Sequence, residues 1–324
     1  MEQHTDSRSV VGTQVDDPVK IIKRHSPGRW LAVAVVLVFV AMLVNSLFTN
    51  PGFEWSIVWQ YLFDQRILSG VAMTLKLTAV SMTLAIMLGV TLALMILSSN
   101  NLLFLVARSF VWVFRGTPLL VQLLLWSFIA ALYPTLSVGI PFGPAFISFD
   151  SNVVITVFIA GVLGLGLNAA AYMAEIVRAG VMSVPKGQFE AAKVVGLSWG
   201  KMMHKVVLPQ AMRIIVPPTG NQLVQMLKYS SLVSVIALRE LLTSAQLIYS
   251  RTFEVIPLLL VVCIWYLAIT TALNFGQAHL ERHFGKGTGE DNTGRLRSIV
   301  FWPFRWLRDK TLVDKSKTGK KLVQ

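Results

Sequence analysis

The chain is poor in charge and in cysteine, and each shortage excludes something. Of 324 residues only 14% are Asp, Glu, Lys or Arg, while 54% are hydrophobic. An ordinary soluble domain carries about a quarter charged residues, so this composition points to an integral membrane protein. The single cysteine, Cys263, stands inside an apolar run. One thiol forms no intrachain disulfide, so the compartment is read from topology instead. Signatures of catalysis are missing as well. A P-loop needs G-x-x-x-x-G-K-[ST], in which backbone amides and a lysine hold phosphates. Here Gly200-Lys201 is followed by Met202, Gly285-Lys286 by Gly287, and Gly319-Lys320 by Lys321. There is no HExxH and no Cys/His cluster. No catalytic residue, metal site or cofactor is therefore expected, and the lone His204 reads as a solvated residue on a polar helix face.

Acidic residues are outnumbered, 16 against 29 basic, for a net charge of +13. With a mean hydropathy of +0.63, the excess reads as a cytoplasmic bias of a membrane protein and not as a nucleic-acid footprint.

What is abundant is long apolar sequence. Crossing a bilayer takes roughly 20 apolar helical residues. Six such helices are predicted: Trp30–Phe48, Val71–Leu97, Thr117–Leu136, Val153–Met173, Ile214–Leu238 and Val255–Phe275. The fold class is all-α, without the short alternating segments of a membrane barrel. Lys and Arg number 24 in the N-terminal segment, the second and fourth connections and the C-terminal tail, but three in the opposite connections (Arg66, Arg239 and Arg251). The positive-inside rule puts both termini in the cytoplasm. The first span follows a long polar leader and lacks a small-x-small cleavage site, so it reads as an uncleaved anchor.

Between the fourth and fifth predicted spans lies "EAAKVVGLSWGKMMHKVVLP", Glu190–Pro209. Residues Lys186–Val195 suit a short helix, and Gly196 suits the left-handed residue that ends one. Ser198 is a good N-cap for a second helix. There Trp199, Met202, Met203, Val206 and Val207 fall at helical spacing on one apolar stripe. Pro209 is expected to help end that helix. The stripe could lie on the bilayer, pack under its own spans, or dock a soluble partner through adaptable Met contacts and an aromatic anchor.

Polar residues at membrane depth mark candidate pathways. Lys228 is placed mid-span, with Asn221 and Gln225 near its face. A substrate carboxylate, or a neighbouring helix or dimer interface, could receive it. Lys76 reads as snorkelling to the outer interface. Asn168, Tyr172 and Glu175 fall about a turn apart as a polar stripe on the fourth span. The preceding "GVLGLG" offers small residues for close helix contact. Arg115 stands beside Gly116, Thr117 and Pro118, where the glycine and proline suit a helix start.

The Glu190-Ala191-Ala192…Gly196…Leu208-Pro209 spelling resembles the EAA loop of ABC importer permeases, with Val206 where the family has Ile. "FRGTPLLVQ" (Phe114–Gln122), "NAAAYMAEIVRAGVMSVPKGQFEAA" (Asn168–Ala192) and "QMLKYSSLVSVI" (Gln225–Ile236) resemble the polar amino acid permeases of that superfamily, of the histidine and glutamine type. The resemblance covers residues 68–284. It implies a five-helix MetI-like core plus one extra N-terminal helix at 30–48. Residues 1–29 form a cytoplasmic tail and residues 285–324 a basic one.

The resemblance further implies that loop 186–213 enters a groove on a separate ABC ATPase subunit. Glu190, Ala191, Ala192, Gly196, Trp199, Met202, Met203, Val206, Leu208 and Pro209 are then the coupling residues. Glu190 would favour its helix N-terminus or pair with the ATPase. Arg115, Gly116, Thr117 and Pro118 would be gating or structural. Implied partners are ABC ATPase subunits, a second permease chain, identical or paralogous, and an extracytoplasmic substrate-binding protein. Membrane lipid is a further partner, and nucleic acid is not. The chain is then the inner-membrane, multi-pass permease subunit of an importer for polar amino acids, and not itself an enzyme. The alternative is a self-contained channel or secondary transporter for small polar solutes, which would often show inverted repeats.

The outer loop "YPTLSVGIPFGPAFISFD" contains no Lys or Arg and reads as an irregular docking surface or a plain connector. In the tail, Phe301, Trp302, Phe304 and Trp306 interleave with arginines, which suits the inner leaflet.

Overall fold

The computed structural model describes residues 27–140 and 143–284. The expectations for most of the N-terminal tail and for the basic C-terminal tail lie outside the described residues.

The described chain divides after Glu54. In the first unit, α1 (Pro27–Thr49) is apolar along almost its whole length, and residues 31–49 are exposed on every face. A helix apolar all round suits a membrane span. Asn50 ends this unit's helix and caps a 3-10 turn at Pro51–Phe53.

The second unit opens with α2 (Trp55–Leu62) and α3 (Gln65–Ile96). Asp64 caps α3 through its own side chain, accepting the Arg66 N–H at 2.8 Å. Next come α4 (Asn101–Gly116), α5 (Leu119–Ser127) and α6 (Ile129–Leu132). An antiparallel hairpin follows, β1 (Thr135–Gly139) with β2 (Ala145–Asp150), and then the short α7 (Ser151–Val154). The central helix α8 (Val157–Met182) leads into α9 (Lys186–Val194) and α10 (Trp199–Met202). The chain closes with α11 (Leu208–Tyr229), a 3-10 segment at Ser230–Ile236, α12 (Leu241–Thr252) and α13 (Val255–Phe284).

Among the described residues, four helices are each long and apolar enough to cross a membrane, and two bent helix pairs raise that to as many as six. The α3–α8 pair forms the centre. Its glycines work by size: a Cβ at Gly164 would meet Leu123 at 2.5 Å, and one at Gly166 would meet Leu84 at 2.7 Å. The "GVLGLG" expectation of close helix contact therefore holds. Since α8 has 26 residues, it separates the hairpin end of the bundle from the α9–α10 end by about 39 Å.

Several sequence expectations need correction. The third span is not a helix over Thr117–Leu136. Helix α4 precedes it, at 103° to α5, and Leu136 lies in β1. The expected loop before Arg115 is helical because its two arginines lie seven residues apart on one side of an otherwise apolar helix. The fourth span runs on to Met182 and carries its arginine inside the helix. The stretch after Leu238 is a helix, α12, bent 46° from the preceding one. The outer loop forms a hairpin and is not irregular, since β-branched and aromatic residues such as Val138, Phe146, Ile147 and Phe149 favour paired strands. Lys76, the twelfth residue of α3, is exposed with its ammonium 5.2 Å from the Phe158 ring centroid.

Candidate functional site: a protruding loop and a polar bend

The loop after α8 is built from the turn upward. Gly196 has φ +73, the left-handed conformation that a side chain disfavours. Its N–H donates to the Lys193 carbonyl at 2.9 Å, and the Leu197 N–H donates to the Ala192 carbonyl at 3.0 Å. This crossed pair is the Schellman closure of α9. Ser198 starts α10 as expected, though its hydroxyl makes no capping bond.

Two expectations fail here. Pro209 does not end the helix. A π turn over Met203–Val207 carries the chain into α11, with the Leu208 N–H reaching back to the Met203 carbonyl. Pro209 is then the second residue of α11, at the junction where the helix passes from the π to the α register. Nor is the Trp199–Val207 stripe one free surface. Met202 and Val207 are buried, and Met203 and Val206 pack beside them against a core that includes Val184, Ala192 and Ala211. The most exposed apolar residues of the loop are Val194 (88% exposed), Val195 (78%) and Trp199 (65%), close to Gly196 in sequence. Lys193, Lys201, His204 and Lys205 are exposed beside them. Ala191, Leu208 and Pro209 are also exposed, and Ala192 is buried. Glu190 lies beyond the first turn of α9, which holds no acidic residue. It is therefore exposed but not placed to complement the helix N-terminus.

The second feature is the α4–α5 bend. Gln122 and Asn168 are both buried. The Gln122 amide donates to the Phe114 carbonyl (3.0 Å), the Thr117 carbonyl (3.1 Å) and Thr117 Oγ1 (2.7 Å). Asn168 Nδ2 donates to the Phe114 carbonyl (2.9 Å) and to Gln122 Oε1 (3.2 Å). Pro118 occupies the N-cap of α5 as expected.

Beside the bend, Arg108, Val111, Trp112, Arg115, Gly116, Tyr172 and Glu175 line an open cavity of about 550 Å³, with Arg108, Trp112, Arg115 and Tyr172 exposed at its surface. Glu175 pairs with Arg108 at 2.8 Å and with Arg178 at 2.7 Å. The Arg115 guanidinium lies 5.1 Å from the Tyr172 ring centroid. Among the described residues no carboxylate pairs with it.

The six pathway candidates thus separate. Asn168 is taken up by the bend. Tyr172 and Glu175 reach the cavity. Asn221, Gln225 and Lys228 share an exposed face of α11. Lys228 stands in the last turn of α11, which runs directly into the 3-10 segment Ser230–Ile236, and it has no ion-pair partner among the described residues. Asn221 Oδ1 accepts from Gln277 of α13 at 3.1 Å.

Sequence reasoning missed a further polar centre. Glu240, fully buried, caps α12 by accepting the Leu242 and Thr243 N–H groups at 2.9 and 2.8 Å. Tyr266 of α13 and Thr74 of α3 also donate to it, at 3.2 and 3.5 Å. The signal available was a carboxylate beside an apolar run, followed three residues on by Thr243. Gln122 lies inside the Phe114–Gln122 motif, where the sequence alone gives it no separate signal.

Known proteins agree with this geometry. Residues 85–286 match the family "Binding-protein-dependent transport system inner membrane component". The arginine transport system permease protein ArgU of Corynebacterium glutamicum is 43% identical over 280 residues, 86% of this chain and 87% of that protein. The arginine transport system permease protein ArtQ of Bacillus subtilis is 36% identical over 213 residues, 65% of this chain and 90% of that protein. A crystal structure of an amino acid ABC transporter with histidines matches with a TM-score of 0.59 at 35% identity, covering 71% of this chain and 98% of that one. An inward-facing structure of the MetNI methionine ABC transporter shares the fold, with a TM-score of 0.56 at 18% identity over 68% of this chain and 97% of that one. The chain belongs to the binding-protein-dependent inner-membrane permease family of ABC importers. It is a multi-pass inner-membrane transport subunit and not a catalytic one. Its family context implies an ABC ATPase and a substrate-binding protein as partners.

Proposed function

We propose that this permease carries polar amino acids across the inner membrane, and that loop 186–213 couples the path to the ATPase through Val194, Val195 and Trp199. One observation carries the coupling: these are the most exposed apolar side chains of the loop. An exposed aromatic and two valines at the tip of a loop closed at its base by buried Met202 and Val207 form a compact knob. Gly196 sets the turn, and Glu190 and the neighbouring lysines supply a polar rim.

An ATPase dimer offers two docking grooves and this chain carries one such loop, so a second permease chain completes the unit. The exposed Asn221–Gln225–Lys228 face is where that chain or the solute would meet this one. Residues 68–284 constitute the permease domain. Residues 30–48 add a membrane anchor, and the tails 1–29 and 285–324 are cytoplasmic by the positive-inside rule. The hairpin end then faces the binding protein.

The solute to test first is arginine, because ArgU and ArtQ carry that name. Glutamine follows, from relatives such as the putative glutamine permease of Rickettsia bellii, 34% identical over 204 residues. The unpaired Arg115 guanidinium in the cavity suits the α-carboxylate that both share. Co-purification of the ATPase with wild-type permease, lost on Trp199→Asp or Gly196→Asp, tests the docking. Open space surrounds Gly196, so its replacement acts through the backbone and charge and not through a clash. Equal recovery of ATPase with wild type and both variants would refute the assignment.

A further inference from the structure

We infer that the buried Gln122–Asn168 amide pair is a positioning device that sets the Arg115 guanidinium in the cavity and thereby tunes how tightly the permease holds solute. The inference rests on the reading that the cavity lies on the solute path.

A helix that stops inside a membrane protein leaves carbonyls without intrahelical partners, and there is little water to satisfy them. The α4–α5 bend does this at Phe114 and Thr117, the residues on either side of Arg115-Gly116. Two side chains from different helices answer that need. Gln122 reaches back from α5 to both carbonyls and to the Thr117 hydroxyl, and Asn168 reaches across from α8 to the Phe114 carbonyl. The amide orientations are forced by their partners. The Phe114 and Thr117 carbonyls only accept, so both amide nitrogens must face them. Gln122 Oε1 is then turned to receive the second proton of Asn168. The Thr117 hydroxyl donates to the Val113 carbonyl at 2.8 Å, which leaves its oxygen free to accept from Gln122.

The backbone on both sides of Arg115 is thus pinned, while among the described residues its own side chain has no ion-pair partner. On α8, Tyr172 follows Asn168 by four residues, so one helix face holds the bend and supports the guanidinium. A purely structural staple would not need to span Arg115, nor to couple it to the helix that bears Tyr172 and Glu175.

The test uses the purified permease–ATPase complex without binding protein, so that labelled arginine reports on the membrane site. Asn168→Leu and Gln122→Leu should weaken arginine binding about five- to tenfold, and Thr117→Val less, with the complex still assembled. In an Arg115→Ala background the same changes should add nothing. Full wild-type affinity in assembled Asn168→Leu and Thr117→Val complexes would overturn the inference, as would an equal further loss in the Arg115→Ala background. Arginine binding that survives Arg115→Ala unchanged would instead overturn the path reading, and the inference with it. So would a wild-type complex that binds no arginine.

Discussion

At the scale of single residues, Glu240 bears the heaviest polar load. Its carboxylate satisfies two backbone amides of α12 and two hydroxyls from α3 and α13. Replacing it with Ala strands those donors where water does not reach them. The expected cost is about 3 kcal/mol, read as a lower unfolding midpoint in detergent, and Glu240→Gln should recover only part of it, because its amide nitrogen replaces one of the two oxygens that accept the Leu242 and Thr243 N–H groups. Asp64 makes a smaller, pH-dependent contribution. The Arg66 guanidinium beside it, a partner at 2.9 Å, holds its carboxyl below the ordinary carboxylate range. Its folded pKa is depressed, so the stabilisation is present at neutral pH and is lost as pH falls through that depressed value. Asp64→Asn keeps the cap and removes the charge. It should lower the unfolding midpoint slightly at pH 7, and the difference should vanish at strongly acidic pH. A difference that persists in acid would contradict the charge argument. The effect is small because Arg66 is largely exposed.

At the scale of elements, the sequence revealed the long apolar helices and Gly196, and it misjudged where polar residues interrupt them. Hydropathy finds runs, and α4 and α12 are not clean runs. Arg108 and Arg115 looked like loop charges because their compensation comes from Glu175 and Tyr172 on another helix. Leu241–Thr252 looked like a connector because Thr243, Ser244 and Gln246 dilute it, while its cap is a carboxylate whose partners lie far away in sequence. Pro209 misled for a different reason: a π turn shifts the hydrogen-bond register before the proline, and no local pattern announces that. The coupling stripe was visible as a period, but period alone does not say which side faces the protein. Burial divides it. Met202 holds the loop to the bundle, so Met202→Ala should cost about 2–3 kcal/mol of local packing. It should expose the Gly196 turn to limited proteolysis faster than in wild type, whereas Trp199→Ala should leave proteolysis unchanged. Equal protection of wild type and Met202→Ala would count against the packing assigned to Met202.

At the scale of the whole molecule, the α8 helix separates a charge-poor hairpin end from a basic loop end. That separation suits a permease that meets a binding protein on one side and an ATPase on the other. The membrane class, the family and the loop position were legible because composition and motif spelling are local. The cavity was not, because Arg108, Arg115, Tyr172 and Glu175 converge only once α4 folds back on α8. Energy, on this account, enters through the loop tip from another polypeptide. The most direct test is arginine accumulation in proteoliposomes carrying the permease, its ATPase and its binding protein. Wild type should concentrate arginine only with ATP and the ATPase present. A Val195→Asp/Trp199→Asp double variant should insert and assemble its membrane part normally yet accumulate none. Accumulation against a gradient by the permease alone, or undiminished uptake by the double variant, would contradict the account.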